Sequence, residues 1–88
     1  MKEAVQSATI KVRVLSQFKT LFDDEAISFS AENQTGPFDI LAGHANFLTL
    51  ITPCVAKIQL PDMTYREIDI GQGVVRVARN KVEVFLDV

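Results

Sequence analysis

Two side chains of the sequence could take part in nucleophilic catalysis. Cys54 is the only cysteine and His44 the only histidine among the 88 residues. A thiol activated by an imidazole is a common enzymatic nucleophile. Both residues lie in apolar stretches, however, and no third member of a triad is identifiable. We therefore interpret Cys54 as a small buried hydrophobic residue. A small enzyme that uses Cys54 and His44 remains an alternative, and its thiol-labelling rate would reveal it.

The acidic run Asp23-Asp24-Glu25 is the one cluster of carboxylates in the sequence. It lacks the spaced oxygen ligands of a calcium loop, and the chain offers no plausible set of three zinc ligands. We interpret the run as a solvated turn between two strands. No metal site is predicted.

The glycines Gly71 and Gly73 flank Gln72, but they do not form a phosphate-binding loop. Such a loop would open a helix whose N-terminus faces the phosphate. Here the run stands between two predicted strands, which indicates a tight turn or a bulge. No cofactor site is predicted.

Charge and composition exclude several classes of partner. The net charge is −2, and nine basic residues are scattered among eleven acidic ones, so a nucleic-acid surface is not predicted. No apolar run reaches the roughly 18 residues that span a membrane, and residues 1–7 lack the apolar core of a signal peptide. A single cysteine cannot form an internal disulfide, which favours a reducing cytosolic compartment.

Apolar and polar residues alternate along much of the chain, and this period of two is typical of half-buried strands. A further run, Phe47–Ile51, is interpreted as a buried strand. Turn signals at Pro61-Asp62, Gly71–Gly73 and Arg79-Asn80 separate the runs. Many short strands of this kind predict an antiparallel sandwich or barrel in one domain over residues 1–88, with a loose polar segment at 1–8. The alternating runs are 9–14, 26–30, 54–60, 65–70, 74–77 and 81–86.

The stretch from Gly36 to Leu50 is dense in apolar side chains yet holds two glycines, Pro37 and His44. That mixture fits a rigid loop presented to a partner. It fits a buried strand followed by a structured turn equally well. The 48% hydrophobic content of so short a chain also favours some exposed apolar surface and hence a partner.

The same stretch resembles the signature of the epsilon subunit of F-type ATP synthases, which is named delta in mitochondria. The resemblance extends from about Thr9 to Asp87 and includes the Gly71–Val77 turn and strand. The chain departs from the family pattern at Pro37, where an acidic residue is common. It departs also at Asp39, Ala42 and Cys54. The matching positions are Gly36, Ile40, Leu41, Gly43, His44, Ala45, Phe47, Leu48 and Thr49.

The resemblance implies an all-β fold, a two-sheet antiparallel β-sandwich of about ten short strands. It also implies a non-catalytic rotor subunit of the central stalk, which couples the gamma subunit to the c-ring during ion-driven ATP synthesis. The expected location is peripheral, on the cytoplasmic face of the bacterial inner membrane. Because the sequence stops at Val88, we expect it to lack the family's C-terminal pair of helices, with their inhibitory arm and ATP site.

Site residues follow from the same resemblance. The loop of Gly36, Pro37, Phe38 and Asp39 is expected to face the c-ring, and His44 and Thr49 are expected to face the gamma subunit. Simpler roles stay open: His44 could cap the turn after Gly43, and Phe38 and Phe47 could pack in the core. The alternative for the whole chain is a stand-alone β-sandwich module that binds some other protein or a lipid.

Overall fold

The computed structural model of the chain describes residues 8–86, and within that range it contains nine strands and no helix. No helix long and apolar enough to cross a membrane is therefore found in this range. The loose segment expected at 1–8 lies, apart from Ala8, outside the described residues. In chain order the strands are β1 (Ile10–Leu15), β2 (Thr20–Ala26), β3 (Ser28–Asn33), β4 (Gly36–Leu41), β5 (Phe47–Ile51), β6 (Cys54–Gln59), β7 (Tyr65–Ile70), β8 (Gly73–Ala78) and β9 (Lys81–Leu86).

The strands form two sheets packed face to face, which confirms the predicted β-sandwich. The five-stranded sheet has the order β2-β1-β9-β8-β5, and the four-stranded sheet has the order β4-β3-β6-β7. Neighbouring strands are antiparallel, except that β1 and β9 run parallel in the middle of the five-stranded sheet. Among the described residues the free sheet edges are therefore β2 and β5 in one sheet and β4 and β7 in the other.

The alternating pattern of the sequence builds the core. In β1, Ile10, Val12 and Val14 are buried, while Lys11 is exposed and Arg13 half-buried. Phe29 of β3 is fully buried on the facing sheet. Each fully buried side chain of this size stabilises the fold by about 2 kcal/mol relative to an exposed one. No polar or charged residue of the described range is buried.

Two hairpin turns lie where the sequence predicts them. Arg79 and Asn80 have φ of 54° and 62°, the left-handed pair that a two-residue hairpin between β8 and β9 requires. In the β6–β7 hairpin, Asp62 Oδ1 accepts hydrogen bonds from the Thr64 hydroxyl at 2.6 Å and the Thr64 amide at 3.0 Å. These bonds favour the carboxylate and lower the pKa of Asp62 below its ordinary value of 3.8.

Three local predictions are corrected by the structure. Asp23-Asp24-Glu25 is not a turn but lies inside β2, where pairing with β1 continues from Ala26 to Phe22. The range Gly36–Asp39 is not a loop but begins β4, because it pairs residue by residue with β3. Phe47–Ile51 is a strand as predicted, but Leu48 and Leu50 are exposed on the outer face of its sheet, so the strand is only partly buried.

Candidate functional site

The segment between β4 and β5 carries the chain from the four-stranded sheet to the five-stranded one, and it holds His44. Gly43 has a φ of +87°, which side-chain-bearing residues rarely adopt. Its amide donates to Asn80 Oδ1 at 2.8 Å, and the His44 amide donates to the Leu41 carbonyl at 3.1 Å. Asn80 sits in the β8–β9 turn, so this bond fixes the segment to the opposite hairpin.

The His44 ring is half-buried and packs edge-on against Phe47, with ring centroids 5.5 Å apart and planes inclined by 64°. Its Nδ1 lies 2.8 Å from the Ala45 carbonyl oxygen. A carbonyl only accepts hydrogen bonds, so the bond requires the proton on Nδ1. Nε2 makes no hydrogen bond within residues 8–86. His44 therefore orders the turn after Gly43 through one ring nitrogen and leaves the other free to form a hydrogen bond.

Phe47 joins His44 to the other sheet. Its ring meets Phe38 of β4 in a second edge-on contact, with centroids 5.5 Å apart. Both phenylalanines are half-buried and pack against the core. Such aromatic pairs contribute about 1 kcal/mol beyond their buried area. Phe38 thus serves mainly to close this side of the sandwich, rather than standing free as an anchor for a partner.

Thr49 points between the sheets instead of outward. Its Oγ1 accepts from Asn33 Nδ2 at 3.2 Å and donates to the Leu50 carbonyl at 3.3 Å. The structure therefore groups His44 with Phe47 and Phe38, and it places Thr49 in a separate contact with β3. Direct contact between Thr49 and a partner is restricted by its half-buried position.

The exposed residues of β5 were missed by sequence reasoning. Leu48 and Leu50 are 69% and 71% exposed on the outer face of the five-stranded sheet. The signal that could have found them is the strand period: when Phe47 and Ile51 point inward, Leu48 and Leu50 must point outward. The uninterrupted apolar character of the run hid that alternation.

The remaining predicted site residues lie at the start of β4. Pro37 and Asp39 are exposed, and Asp39 Oδ1 accepts from the Ser30 hydroxyl at 2.5 Å. The turn before β4 is held by Asn33 Oδ1, which accepts from the Thr35 amide at 2.9 Å and its hydroxyl at 2.7 Å. The end of this hairpin is therefore a rigid polar tip.

An open groove of about 880 Å³ lies beside β5. The turn residues Asn33, Gln34 and Thr35 line it together with Leu48–Pro53 and with Gln72–Val74. None of these lining residues is charged. The groove is suited to an uncharged partner segment rather than to a phosphate or a metal ion.

No group of three or more His, Cys, Asp or Glu residues that could hold a metal occurs within residues 8–86. Cys54 is a half-buried residue of β6 that packs against the core. Asp62 lies at the tip of an exposed hairpin, where its carboxylate stabilises the turn by accepting hydrogen bonds from Thr64.

Comparison with protein families gives a match over residues 9–88 to the model of the ATP synthase delta/epsilon chain β-sandwich domain. The epsilon chain 2 of the ATP synthase of Paraburkholderia xenovorans is 36% identical over 73 residues, covering 82% of this chain and 52% of that protein. The ATP synthase epsilon chain of Sulfurimonas denitrificans is 30% identical over 78 residues, covering 89% and 60%. The chain thus spans a little over half the length of these relatives.

Solved structures share the fold. A chain of the Euglena gracilis mitochondrial ATP synthase, solved with OSCP, F1 and the c-ring, superposes with a TM-score of 0.85 at 16% identity. The superposition covers 90% of this chain and 51% of that one. A chain of the Tetrahymena thermophila central stalk and c-ring gives a TM-score of 0.75 at 15% identity, covering 88% and 62%. At these identities the likeness concerns the sandwich alone.

Proposed function

Because the chain belongs to the β-sandwich domain family of ATP synthase delta and epsilon chains, we propose that it is a central-stalk component of a rotary ATP synthase. In this role it couples a gamma subunit to a ring of c subunits during ion-driven ATP synthesis and catalyses no step. It forms one domain, and it lies peripherally at the cytoplasmic face of a bacterial inner membrane.

The observation that carries this proposal is the family match over residues 9–88, which includes every described strand. The fold is consistent with it, since the sandwich superposes on chains of two ATP synthase assemblies whose solved structures contain a c-ring. The exposed apolar residues Leu48 and Leu50 of β5 support a role in binding a partner.

Torque transmission requires a stiff body, and non-covalent contacts between the two sheets make the sandwich stiff. The Phe38–Phe47 contact joins β4 to β5. The Thr52 amide donates to the Glu32 carbonyl at 3.1 Å and ties the end of β5 to β3. Closely packed interiors of this kind transmit strain rather than absorb it.

The c-ring contact is assigned to Gly36, Pro37, Phe38 and Asp39. This range begins an edge strand beside the rigid tip at Asn33–Thr35, so its backbone shape is fixed before any partner arrives. Pro37 and Asp39 supply the exposed groups. Phe38 contributes through the position of β4, because its ring packs against Phe47.

The gamma contact is assigned to His44 and Thr49. His44 offers Nε2 and the exposed edge of its ring. Thr49 holds β5 against Asn33 and so sets the position of the neighbouring leucines. A charge at His44 changes this surface directly, and a charge at Thr49 changes it by removing the contact with Asn33.

The test is co-purification of the chain with the gamma subunit encoded in the same genome, followed by titration. Wild-type chain should bind one to one. We expect His44→Glu and Thr49→Glu each to weaken binding about tenfold or more, as for residues central to an interface.

The matched control is Tyr65→Glu, since Tyr65 is 62% exposed on β7 of the four-stranded sheet. This variant should bind as the wild type does. Thermal unfolding of each variant shows that the domain stays folded. A folded wild-type chain without affinity for the gamma subunit would contradict the proposed function, whereas full affinity in the His44 and Thr49 variants would contradict only their assignment.

A further inference from the structure

The free edges of the two sheets differ in how they are protected against pairing with another strand. A free edge presents unpaired N–H and C=O groups, and proteins block it with charges, proline or bulges. The edge strand β2 carries Asp23-Asp24-Glu25, and β7 carries Arg66, Glu67 and Asp69. The edge strand β4 carries Pro37 and Asp39.

The edge strand β5 has none of these protections. Its sequence, Phe-Leu-Thr-Leu-Ile, holds no charge and no proline. It pairs with β8 in unbroken register from Phe47↔Val77 to Ile51↔Gly73. Half of its backbone groups therefore point away from β8, and within residues 8–86 no turn or loop forms a backbone hydrogen bond with Leu48–Leu50. The Leu50 carbonyl accepts one long side-chain hydrogen bond, from the Thr49 hydroxyl at 3.3 Å.

The side chains on the outer face extend an apolar row to this edge. Leu50 pairs with Val74, Val74 with Phe85, and Phe85 with Leu15, so the row crosses β5, β8, β9 and β1. Leu50 ends the row at the free edge and is 71% exposed. One more strand beyond β5 would continue the row and cover Leu50.

Space for such a strand exists. The groove of about 880 Å³ lies along Leu48–Pro53, and the polar turn Asn33–Thr35 lines it as well. Since no lining residue is charged, an extended segment with uncharged side chains facing the groove fits it best. A helix would leave the free N–H and C=O groups of β5 unpaired, whereas an extended backbone satisfies them.

From these observations we infer that β5 is a strand-addition site. Its occupant is an extended segment of the gamma subunit, which pairs with β5 as a sixth strand and places an apolar side chain beside Leu50. The inference rests on the proposed stalk function and specifies how that partner binds. Main-chain hydrogen bonds supply the affinity, and the apolar row selects the side chains.

Amide hydrogen exchange followed by NMR tests the inference directly. The isotope-labelled chain is measured alone and with an excess of the purified gamma subunit. We expect the outward-facing amides of Leu48–Ile51 to exchange at least tenfold more slowly in the complex, while the amides of the β2 edge keep their rates. Unchanged β5 exchange in a formed complex would overturn the inference and leave the proposed function standing.

A substitution gives an independent measurement. Leu50→Lys introduces the charge that protects other edges, and the exposed position leaves the core intact. We expect it to weaken binding at least tenfold, whereas Tyr65→Lys, on the opposite outer face, should bind as the wild type does. Wild-type affinity in Leu50→Lys contradicts strand addition. Absence of binding by the wild-type chain overturns both this inference and the stalk function.

Discussion

The two edges of the five-stranded sheet, β2 and β5, differ in how well their side chains and register protect them against pairing with another strand. On β2, Asp23 forms ion pairs with Lys11 at 3.2 Å and Arg13 at 3.7 Å, and pairing with β1 is irregular between Val14 and Leu15. On β5, exposed leucines replace the carboxylates and the register is regular. The difference teaches that a free position in the sheet does not by itself make an edge available for pairing with another strand. The side chains of the edge strand determine whether such pairing is possible.

The aromatic side chains behind the two edges also differ, because those behind β2 are more deeply buried than those behind β5. Phe22 of β2 is only 7% exposed, and the Arg66 guanidinium lies 5.6 Å from the centre of its ring. On the other side, Phe47 and Phe38 close the sandwich while remaining half-buried. The β2 side is therefore more completely closed, and the β5 side keeps more apolar surface exposed.

The largest expected effect comes from removing the aromatic ring at each edge. Phe22→Ala should lower the free energy of unfolding by about 3 kcal/mol, because it empties a buried position. Phe47→Ala should cost about 1.5 kcal/mol, because its ring is already partly solvated. Urea unfolding of the two variants measures both. Equal losses would mean that the two sides are equally closed.

The next effect on stability is expected at a glycine of β8 that lies beside the β5 edge. A Cβ added at Gly73, whose partner on β5 is Ile51, would lie 2.5 Å from the Phe85 carbonyl oxygen. Gly73→Ala should therefore cost about 2 kcal/mol through forced displacement of β9. Gly71→Ala is the matched control, since a Cβ there meets nothing within 4 Å.

Thermal unfolding compares the two alanine variants. A Gly73→Ala protein as stable as Gly71→Ala would show that β8 and β9 can separate without loss. Amide hydrogen exchange in β5 gives a second and more local measurement of this displacement. Displacement at Gly73 should raise exchange in β5 more than in β2, because Gly73 itself pairs with Ile51 of β5, whereas β2 pairs with β1.

The smallest effect concerns the charges on β2. Asp23→Asn should lower stability by about 0.5 kcal/mol at low salt, because both of its ion pairs are solvent-exposed. The difference from wild type should shrink as salt rises. Asp69→Asn, on β7 and without an ion pair within residues 8–86, is the control. A loss that does not depend on salt would assign Asp23 a packing role instead.

The alternating pattern was sufficient to predict most strands and an antiparallel sandwich or barrel, whereas the choice of a two-sheet sandwich came from the family resemblance. Val12 and Val14 face inward because Lys11 and Arg13 cannot be buried without partners. The Arg79-Asn80 turn was predictable because asparagine tolerates positive φ. These features depend on neighbouring residues, and the sequence displays them directly.

The order of strands in a sheet depends on distant partners and was not predictable in the same way. The uninterrupted apolar character of Phe47–Ile51 hides which of its side chains face the outer surface, so its leucines looked buried, and nothing within the run shows that it pairs on one side only. Asp23-Asp24-Glu25 resembles a turn until its pairing with β1 is known. The assignment of Pro37 and Asp39 to the c-ring, and of His44 and Thr49 to gamma, came from family resemblance and remains a prediction.

The parallel pair of β1 and β9 has a consequence for how the domain folds. These are the first and last strands of the described range, and they meet at the centre of the five-stranded sheet. During synthesis, β1 and β2 can form only a two-stranded hairpin, which is marginal in water by itself, until Lys81–Leu86 leaves the ribosome. Closing so long a chain segment before its contacts form slows folding. The five-stranded sheet is therefore completed only after Lys81–Leu86 has been synthesised.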